Sequence, residues 1–393
     1  MMAVSPIQAS AMILLRRYTE LHKTPLIEGR MEIKDKIQSR AVELSRNNQH
    51  VCLEWSTGCG KTLAAVKIAE DILSFNPNAV GYLVCKESTH KKSWQLDIKK
   101  HKKDHILDNT TTLLYHSLAK YSEKADFVIL DECHALTPKR IEAMRGILKR
   151  GTKLIFLSAT IPDDRKYSML RLCKKIKFDT IPLVKAIELG LLPEPELVLH
   201  KATLTKVERE IYDGLTTEMY RYKDISDDIT AHYSTRNHAH NKFLNLGSKR
   251  KNFIARVKTK LLMELVDKFR KEDSRFICFT GSIEQAKEIG ANSAVHSKNE
   301  KGVNGDLIDC FNNKVCKELF AVKMLRESVN LTDVEKGIIT QLDSTIGSFY
   351  QMLGRCLRHE FPQMHLIVLN GTQDVAYFKK SIDSFDKKYI TVV

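Results

Sequence analysis

Short apolar runs alternate with longer stretches of helical periodicity along the whole chain. In the first half the runs are VCLEW (51–55), VGYLVC (80–85), TTLLY (111–115), FVIL (127–130) and KLIFLS (153–158). In the second they are RFICFTG (275–281), SAVHS (293–297), LFAVKML (319–325), GIITQLD (337–343) and HLIVLN (365–370). They are continuous rather than alternating, which suits strands covered on both faces, as in parallel sheets. Helical patterns such as KTLAAVKIAEDILSF and SIEQAKEIG lie between them. Strand, helix, strand, repeated in each half, predicts two α/β domains. Pro193 and Pro195, in IELGLLPEPELVL (187–199), oppose a continuous helix and put the seam there. The expected division is a first domain over 1–185, a linker over 186–200 and a second domain over 201–393.

Composition narrows the class. The length of 393 residues is enough for two separate cores. No apolar run approaches the roughly 18 residues of a membrane span, so no membrane partner is expected. AMILL near the start is followed, not preceded, by Arg16 and Arg17, the wrong order for a secretory signal. One turn of an amphipathic helix is expected there instead. The nine cysteines are scattered and odd in number, with no C-x-x-C pair. That predicts a reduced, cytoplasmic protein without structural zinc. Sixty-three Lys and Arg against 48 acids give a net charge of +15, which favours a polyanionic partner, most simply nucleic acid. The excess is marked over 213–260, which reads as polar, helical and basic, with SKRKNFIARVKTK and the clustered His232, His238 and His240. No cysteine or carboxylate stands at ligand spacing from these histidines. A solvated or nucleic-acid-facing segment is expected rather than a metal site.

The candidate chemistry sits at the ends of expected strands. STGCGKT (56–62) follows VCLEW and opens a helical pattern, the setting a phosphate-binding loop needs. Gly58 and Gly60 allow a tight fold that aims backbone N–H groups at phosphate oxygens, with Thr57 and Cys59 beside them. Lys61 would reach the β- and γ-phosphates and Thr62 would place its hydroxyl on Mg²⁺. Trp55 stands where the common form of the motif has its first glycine. FVILDECHAL (127–136) ends an apolar strand in two carboxylates. Asp131 is the candidate Mg²⁺ ligand, together with Thr62, and Glu132 the candidate base for the attacking water. Ser158, Ala159 and Thr160 close the run KLIFLSAT. In QMLGRCLRH (351–359), Gln351, Arg355 and Arg358 fall at i, i+4 and i+7, on one helical face. Such a face could stabilise transition-state charge.

In this order the pieces resemble a superfamily 2 helicase of the DEAD/DEAH-box group. STGCGKT is similar to motif I, DECH to motif II, SAT to motif III and QMLGRCLR to motif VI. GYLVCKESTHKKSW resembles motif Ia, RFICFTGSIEQAKEIG motif IV and KMLRESVNLTDVEKGII motif V. The likeness spans about residues 30 to 370, and the compact layout is most similar to phage-encoded or bacterial members. It implies two tandem RecA-like domains, each a mostly parallel sheet flanked by helices, with ATP and Mg²⁺ in the cleft between them. Gln38, 23 residues before Lys61, stands where the family places an adenine-reading glutamine. Lys61, Thr62, Asp131 and Glu132 would come from the first domain, and Gln351, Arg355 and Arg358 from the second. Ser158, Ala159 and Thr160 would link the nucleotide to the track. Lys86, Thr280, Gly281, His296, Lys298, Ser328 and Asn330 would touch nucleic acid. Two departures stand out: Lys86 where motif Ia usually has Pro, and Ser328 where motif V usually has Gly. The implied activity is an ATP-dependent helicase or translocase, with DNA favoured and RNA open. A monomer is expected, acting in a bacterial or phage-infected cytoplasm, with replication or recombination partners.

Overall fold

The computed structural model describes residues 29–300, 302–322, 331–343 and 345–393. The AMILL turn, Ser328 and Asn330 lie outside them. The chain divides into two compact units, Met1–Leu192 and Pro193–Val393.

Unit 1 is built on six parallel strands: β1 (His50–Trp55), β2 (Gly81–Cys85), β3 (Thr110–Leu114), β4 (Ala125–Leu130), β5 (Leu148–Ser158) and β6 (Lys177–Ile181). Their order in the sheet is β3-β2-β4-β5-β1-β6. The flanking helices are α1 (29–47), α2 (Lys61–Phe75), α3 (Ser88–Lys100), α4 (His105–Asp108), α5 (Pro138–Arg145), α6 (Asp163–Leu172) and α7 (Leu183–Glu188). Every residue of β1 and β2 is buried, which is why these strands read as unbroken apolar runs. The strand order decides where chemistry can gather. β4, β5 and β1 are neighbours, with Leu130 opposite Phe156 and Glu54 opposite Ser158. The segments leaving these three strands therefore emerge side by side at one carboxyl edge.

Unit 2 holds seven strands in the order β13-β7-β12-β11-β8-β10-β9. They are β7 (Glu196–Thr203), β8 (Phe276–Phe279), β9 (Ala294–Val295), β10 (Glu318–Ala321), β11 (Lys336–Ile339), β12 (Gln363–Asn370) and β13 (Ile390–Val392). All the ladders are parallel. The helices are α8 (Lys206–Asp227), α9 (Tyr233–Lys271), α10 (Ile283–Gly290), α11 (Val303–Asn312), α12 (Ile346–Cys356) and α13 (Gln373–Ile382). Between β7 and β8 stand two long helices, α8 of 22 residues and α9 of 39, packed on each other. A capping box starts α8: the Thr205 side chain accepts from Glu208 N and the Glu208 carboxylate accepts from Thr205 N.

Three expectations change. The segment expected as a linker is largely structured: 186–188 complete α7 and 196–200 belong to β7, paired along its whole length with β12. The prolines end α7's neighbourhood, but the apolar run ELVL after them is a buried strand. The helix carrying Gln351 and Arg355 ends at Cys356, so Arg358 lies in the following turn and not on the same helical face. Not every cysteine is a thiol: Cys310 and Cys316 form a disulfide. The turn after α11 brings them together, with the N–H groups of Val315 and Cys316 both directed to the Cys310 carbonyl.

Candidate nucleotide site

The loop between β1 and α2 is shaped by its glycines. Gly58 and Gly60 have φ of 90° and 89°, the left-handed region closed to most side chains. A Cβ on Gly60 would lie 2.6 Å from Gln38 Nε2, and one on Gly58 2.9 Å from Leu192 Cδ2. The helix behind the loop has no side-chain cap and no acid in its first turn. Its first N–H groups and positive dipole end are thus open to an anion. Lys61 is folded onto the loop, donating from Nζ to the carbonyls of Trp55 (2.6 Å) and Ser56 (3.2 Å). Burial pushes the Cys59 thiol up, so it is a neutral filler of the loop.

Gln38, on α1, is buried against this loop. Its Nε2 is 3.5 Å from the Gly60 carbonyl and its Oε1 has no hydrogen-bond partner. A buried acceptor without a donor is costly in a folded chain. The amino group of a purine would satisfy it, so the residues here fit a nucleotide. Trp55 has another task. It is fully buried and donates from Nε1 to Asp179 Oδ2 at 2.9 Å, while Arg40 grips both oxygens of that carboxylate at 2.9 and 2.8 Å. It ties β1 to β6 and α1.

The DECH segment leaves β4 with Glu132 at φ 49°, a strained value for a residue with a side chain. Asp131 is held from two directions. Its Oδ1 accepts from Glu132 N at 3.0 Å, and its Oδ2 accepts from Trp94 Nε1 at 2.9 Å, with His90 Nδ1 at 3.4 Å. Trp94 and His90 are buried on α3. Their part was not readable in the sequence, because each is some forty residues from its partner and neither belongs to a strand-end motif.

Glu132 is linked to the next strand end through His134. His134 Nδ1 is 3.3 Å from Glu132 Oε2 and 3.0 Å from Ser158 Oγ. Ser158 Oγ donates in turn to the Thr160 carbonyl at 2.9 Å, so Nδ1 carries the proton facing it. Burial pushes the Glu132 carboxyl up, but His134, Lys61 and His90 outweigh it and hold the group below the ordinary carboxylate range. Beside them Glu54, buried at the end of β1, accepts from Ile161 N at 2.9 Å and pairs with Lys166 at 3.2 Å. Glu54 thereby fixes the segment Ser158–Ala159–Thr160, and sequence reasoning overlooked it.

In unit 2, Arg355 is buried on α12, while Gln351 is half-buried on the same helix. Arg358 is exposed, and its Nη1 donates to the Leu331 carbonyl at 3.1 Å. Thr280 and His296 are buried; the Thr280 hydroxyl lies 3.3 Å from the carbonyls of Ala321 and Ser282. Lys298 is exposed, and Gly281 and Lys86 are half-exposed. A Cβ on Gly281 would meet Ala255 Cβ and Gln341 Oε1 at 2.7 Å, so no larger residue fits there. Among the described residues, no group of three or more His, Cys, Asp or Glu could hold a metal ion, and no helix is long and apolar enough to cross a membrane. Asp131 and Thr62 would therefore hold Mg²⁺ only together with a nucleotide's own oxygens.

Two family models match the chain: DEAD/DEAH box helicase over residues 67–168, and the helicase conserved C-terminal domain over 257–360. The chain belongs to the DEAD/DEAH-box helicases of superfamily 2. Like them it is an ATP-dependent helicase, a hydrolase, and its two sheets are the tandem RecA-like fold. The helicase is similar to S. cerevisiae Dbp5 bound to RNA and ADP BeF3, at 14% identity and TM-score 0.61, covering 94% of this chain and 93% of that one. It is also similar to the Pyrococcus furiosus Hef helicase domain, at 15% identity and TM-score 0.52, covering 88% and 97%. A third likeness is the ATP-dependent type ISP restriction-modification enzyme LlaBIII bound to DNA, at 13% identity and TM-score 0.55, covering 92% and 31%. At these identities the likenesses show fold alone. No curated protein matches the helicase by sequence.

Proposed function

We propose that this helicase uses ATP and Mg²⁺ to move along a nucleic-acid backbone, with DNA favoured over RNA, coupling hydrolysis to closure of its two domains. The observation that carries the reading is the convergence of the loop at 56–62, the Asp131–Glu132 pair and Ser158–Thr160 on three adjacent strand ends of one sheet. Gln38 reads the adenine edge with its unpartnered carbonyl. The backbone of Thr57–Gly60 cradles phosphates, and Lys61 leaves the Trp55 and Ser56 carbonyls to bind them. Thr62 and Asp131 hold Mg²⁺, which when bound neutralises charge developing on the phosphoryl oxygens. Glu132, kept ionised, orients water and accepts its proton. Arg355 and Arg358, with Gln351, supply the cations that stabilise the transferring group. His134 carries the state of Glu132 to Ser158 and Thr160. Lys86, Gly281 and Lys298 serve the track, which is followed by its phosphates rather than its bases.

The test is the ATPase rate at fixed salt with no polymer, single-stranded DNA, duplex DNA, branched DNA and RNA, with Lys61→Ala as blank. Strong stimulation by DNA above RNA is expected. Stimulation by RNA alone would overturn the DNA preference. ATP binding without stimulation by any polymer would replace the motor with an ATP-switched clamp.

A further inference from the structure

We infer that the long helix α9 carries a second nucleic-acid contact, a phosphate-binding stripe formed by Lys242, Lys249, Arg256 and Lys260. The inference rests on the reading of the protein as a nucleic-acid motor. None of the 28 residues from 233 to 260 is acidic, while eight are Lys or Arg. The helix that packs against it, α8, carries six acids among its 22 residues. α8 mixes those acids with four Lys and Arg, whereas the 233–260 stretch of α9 carries bases alone.

Geometry then selects four of the eight cations. Lys242, Lys249 and Arg256 are seven residues apart and Lys260 follows by four, so all four fall within an arc of about 40° on the helix and span about 27 Å along it. All four are exposed. Arg250, one position beyond Lys249, shows the contrasting fate. It is buried, stands over the Tyr212 ring and bonds Thr216 Oγ1 at 3.2 Å and Gln373 Oε1. That arginine anchors the helix and leaves its neighbours outside. Arg256 lies over the Phe253 ring, and Lys242, Lys249 and Lys260 form no ion pair among the described residues. Along the solvent side of the stripe stand His238, Asn245 and Asn252, exposed polar groups that can donate or accept at a sugar or phosphate.

An ordinary solvated helix face intersperses acids with bases, which lowers self-repulsion. Lys242, Lys249, Arg256 and Lys260 follow one another over about five turns with no acid between them; the first acid on this face is Glu264, one turn beyond Lys260. Such an arrangement is stabilised when a polyanion displaces its counterions. The length of the stripe matches about eight base pairs of duplex.

The experiment is fluorescence anisotropy of labelled single-stranded DNA, duplex DNA and RNA across a salt series. The chains are the full-length wild type, a variant with Lys242, Lys249, Arg256 and Lys260 all changed to Gln, and a control with Arg221→Gln and Lys223→Gln on α8. The four-site variant should lose about 3 from the slope of log affinity against log salt, and at least about tenfold in affinity at fixed salt. The control should keep the wild-type slope, and the unfolding midpoints of all three should agree. A four-site variant with the wild-type slope, or a control that loses as much, overturns the stripe while leaving the motor reading in place. A wild type that binds none of the polymers overturns both.

Discussion

Two clusters of polar groups, one at each sheet, are held in different ways. In unit 1 Glu54, Asp131, Glu132 and Ser158 gather at the carboxyl edge, each held by a neighbour. In unit 2 two pairs are enclosed. Lys258 and Asp374 form an ion pair at 2.5 Å with side chains 0% and 1% exposed, and Lys258 Nζ also reaches the Thr340 carbonyl. His200 and His365 are stacked, with Nε2 to Nδ1 at 2.9 Å and Phe269 against the second ring. An edge group can meet a ligand, whereas an enclosed one can only hold the fold. Substitutions at the first should change chemistry and spare stability, and at the second the reverse.

The largest effect tests the first half of that statement. Glu132→Gln keeps shape and one acceptor but cannot take a proton. The turnover number should fall roughly 10²- to 10⁴-fold while ATP still binds and the unfolding midpoint stays in place. Normal turnover would remove Glu132 from the chemistry. The second half is tested by Lys258→Met. It strands the Asp374 carboxylate, whose Oδ1 already lacks a partner. The cost should be about 3–5 kcal/mol of unfolding free energy, with ATP affinity in the surviving folded protein unchanged. Adding Asp374→Leu should recover part of the loss, because an apolar pair leaves no buried charge. A double variant as unstable as the single one would place the cost in packing instead.

These contrasts also explain what could be read in advance. The loop at 56–62 and DECH stand out in the sequence because each closes a continuous apolar run, and a parallel sheet delivers such ends to one edge; SAT carries no signal of its own and is marked only by the family resemblance. The strands that went unread carry other signals. In β6, KFDTI mixes charge with apolar residues at the rim of the sheet, and β7 hides behind two prolines. The supports of the site were the least legible. Trp94 and His90 reach Asp131 from α3, and Glu54 reaches Ile161, across separations that follow no period. Arg358 was misplaced because i, i+4, i+7 spacing assumes a helix that here stops at Cys356.

One of those supports gives the next effect in size. Trp94→Phe preserves most of the buried ring but removes the donor on Asp131 Oδ2, leaving only His90 at 3.4 Å. Orienting partners of metal ligands are worth roughly 10–100-fold in metal affinity. The Mg²⁺ concentration for half-maximal binding of a fluorescent ATP analogue should rise about tenfold. An unchanged Mg²⁺ dependence would reduce Trp94 to a core filler and blur the line between the two sheets.

The smallest effect is a pH dependence of the enclosed pair. Burial first, then His200, Lys336 and Lys268, push the His365 imidazole down to about 3; burial and Lys268 lower His200 as well. In the unfolded chain a histidine titrates near 6.5. As pH falls below about 6.5 the unfolded chain takes up protons that the folded chain refuses, so folding is progressively disfavoured until about pH 3. The slope is at most about 1.4 kcal/mol per pH unit for each such proton. Changing both residues to apolar ones, His200→Val with His365→Leu, removes the protons without stranding either ring nitrogen. The drop in unfolding midpoint between pH 7 and pH 5 should then shrink relative to wild type. An equal drop in the double variant would move the acid sensitivity of the helicase away from this pair and into its carboxylates.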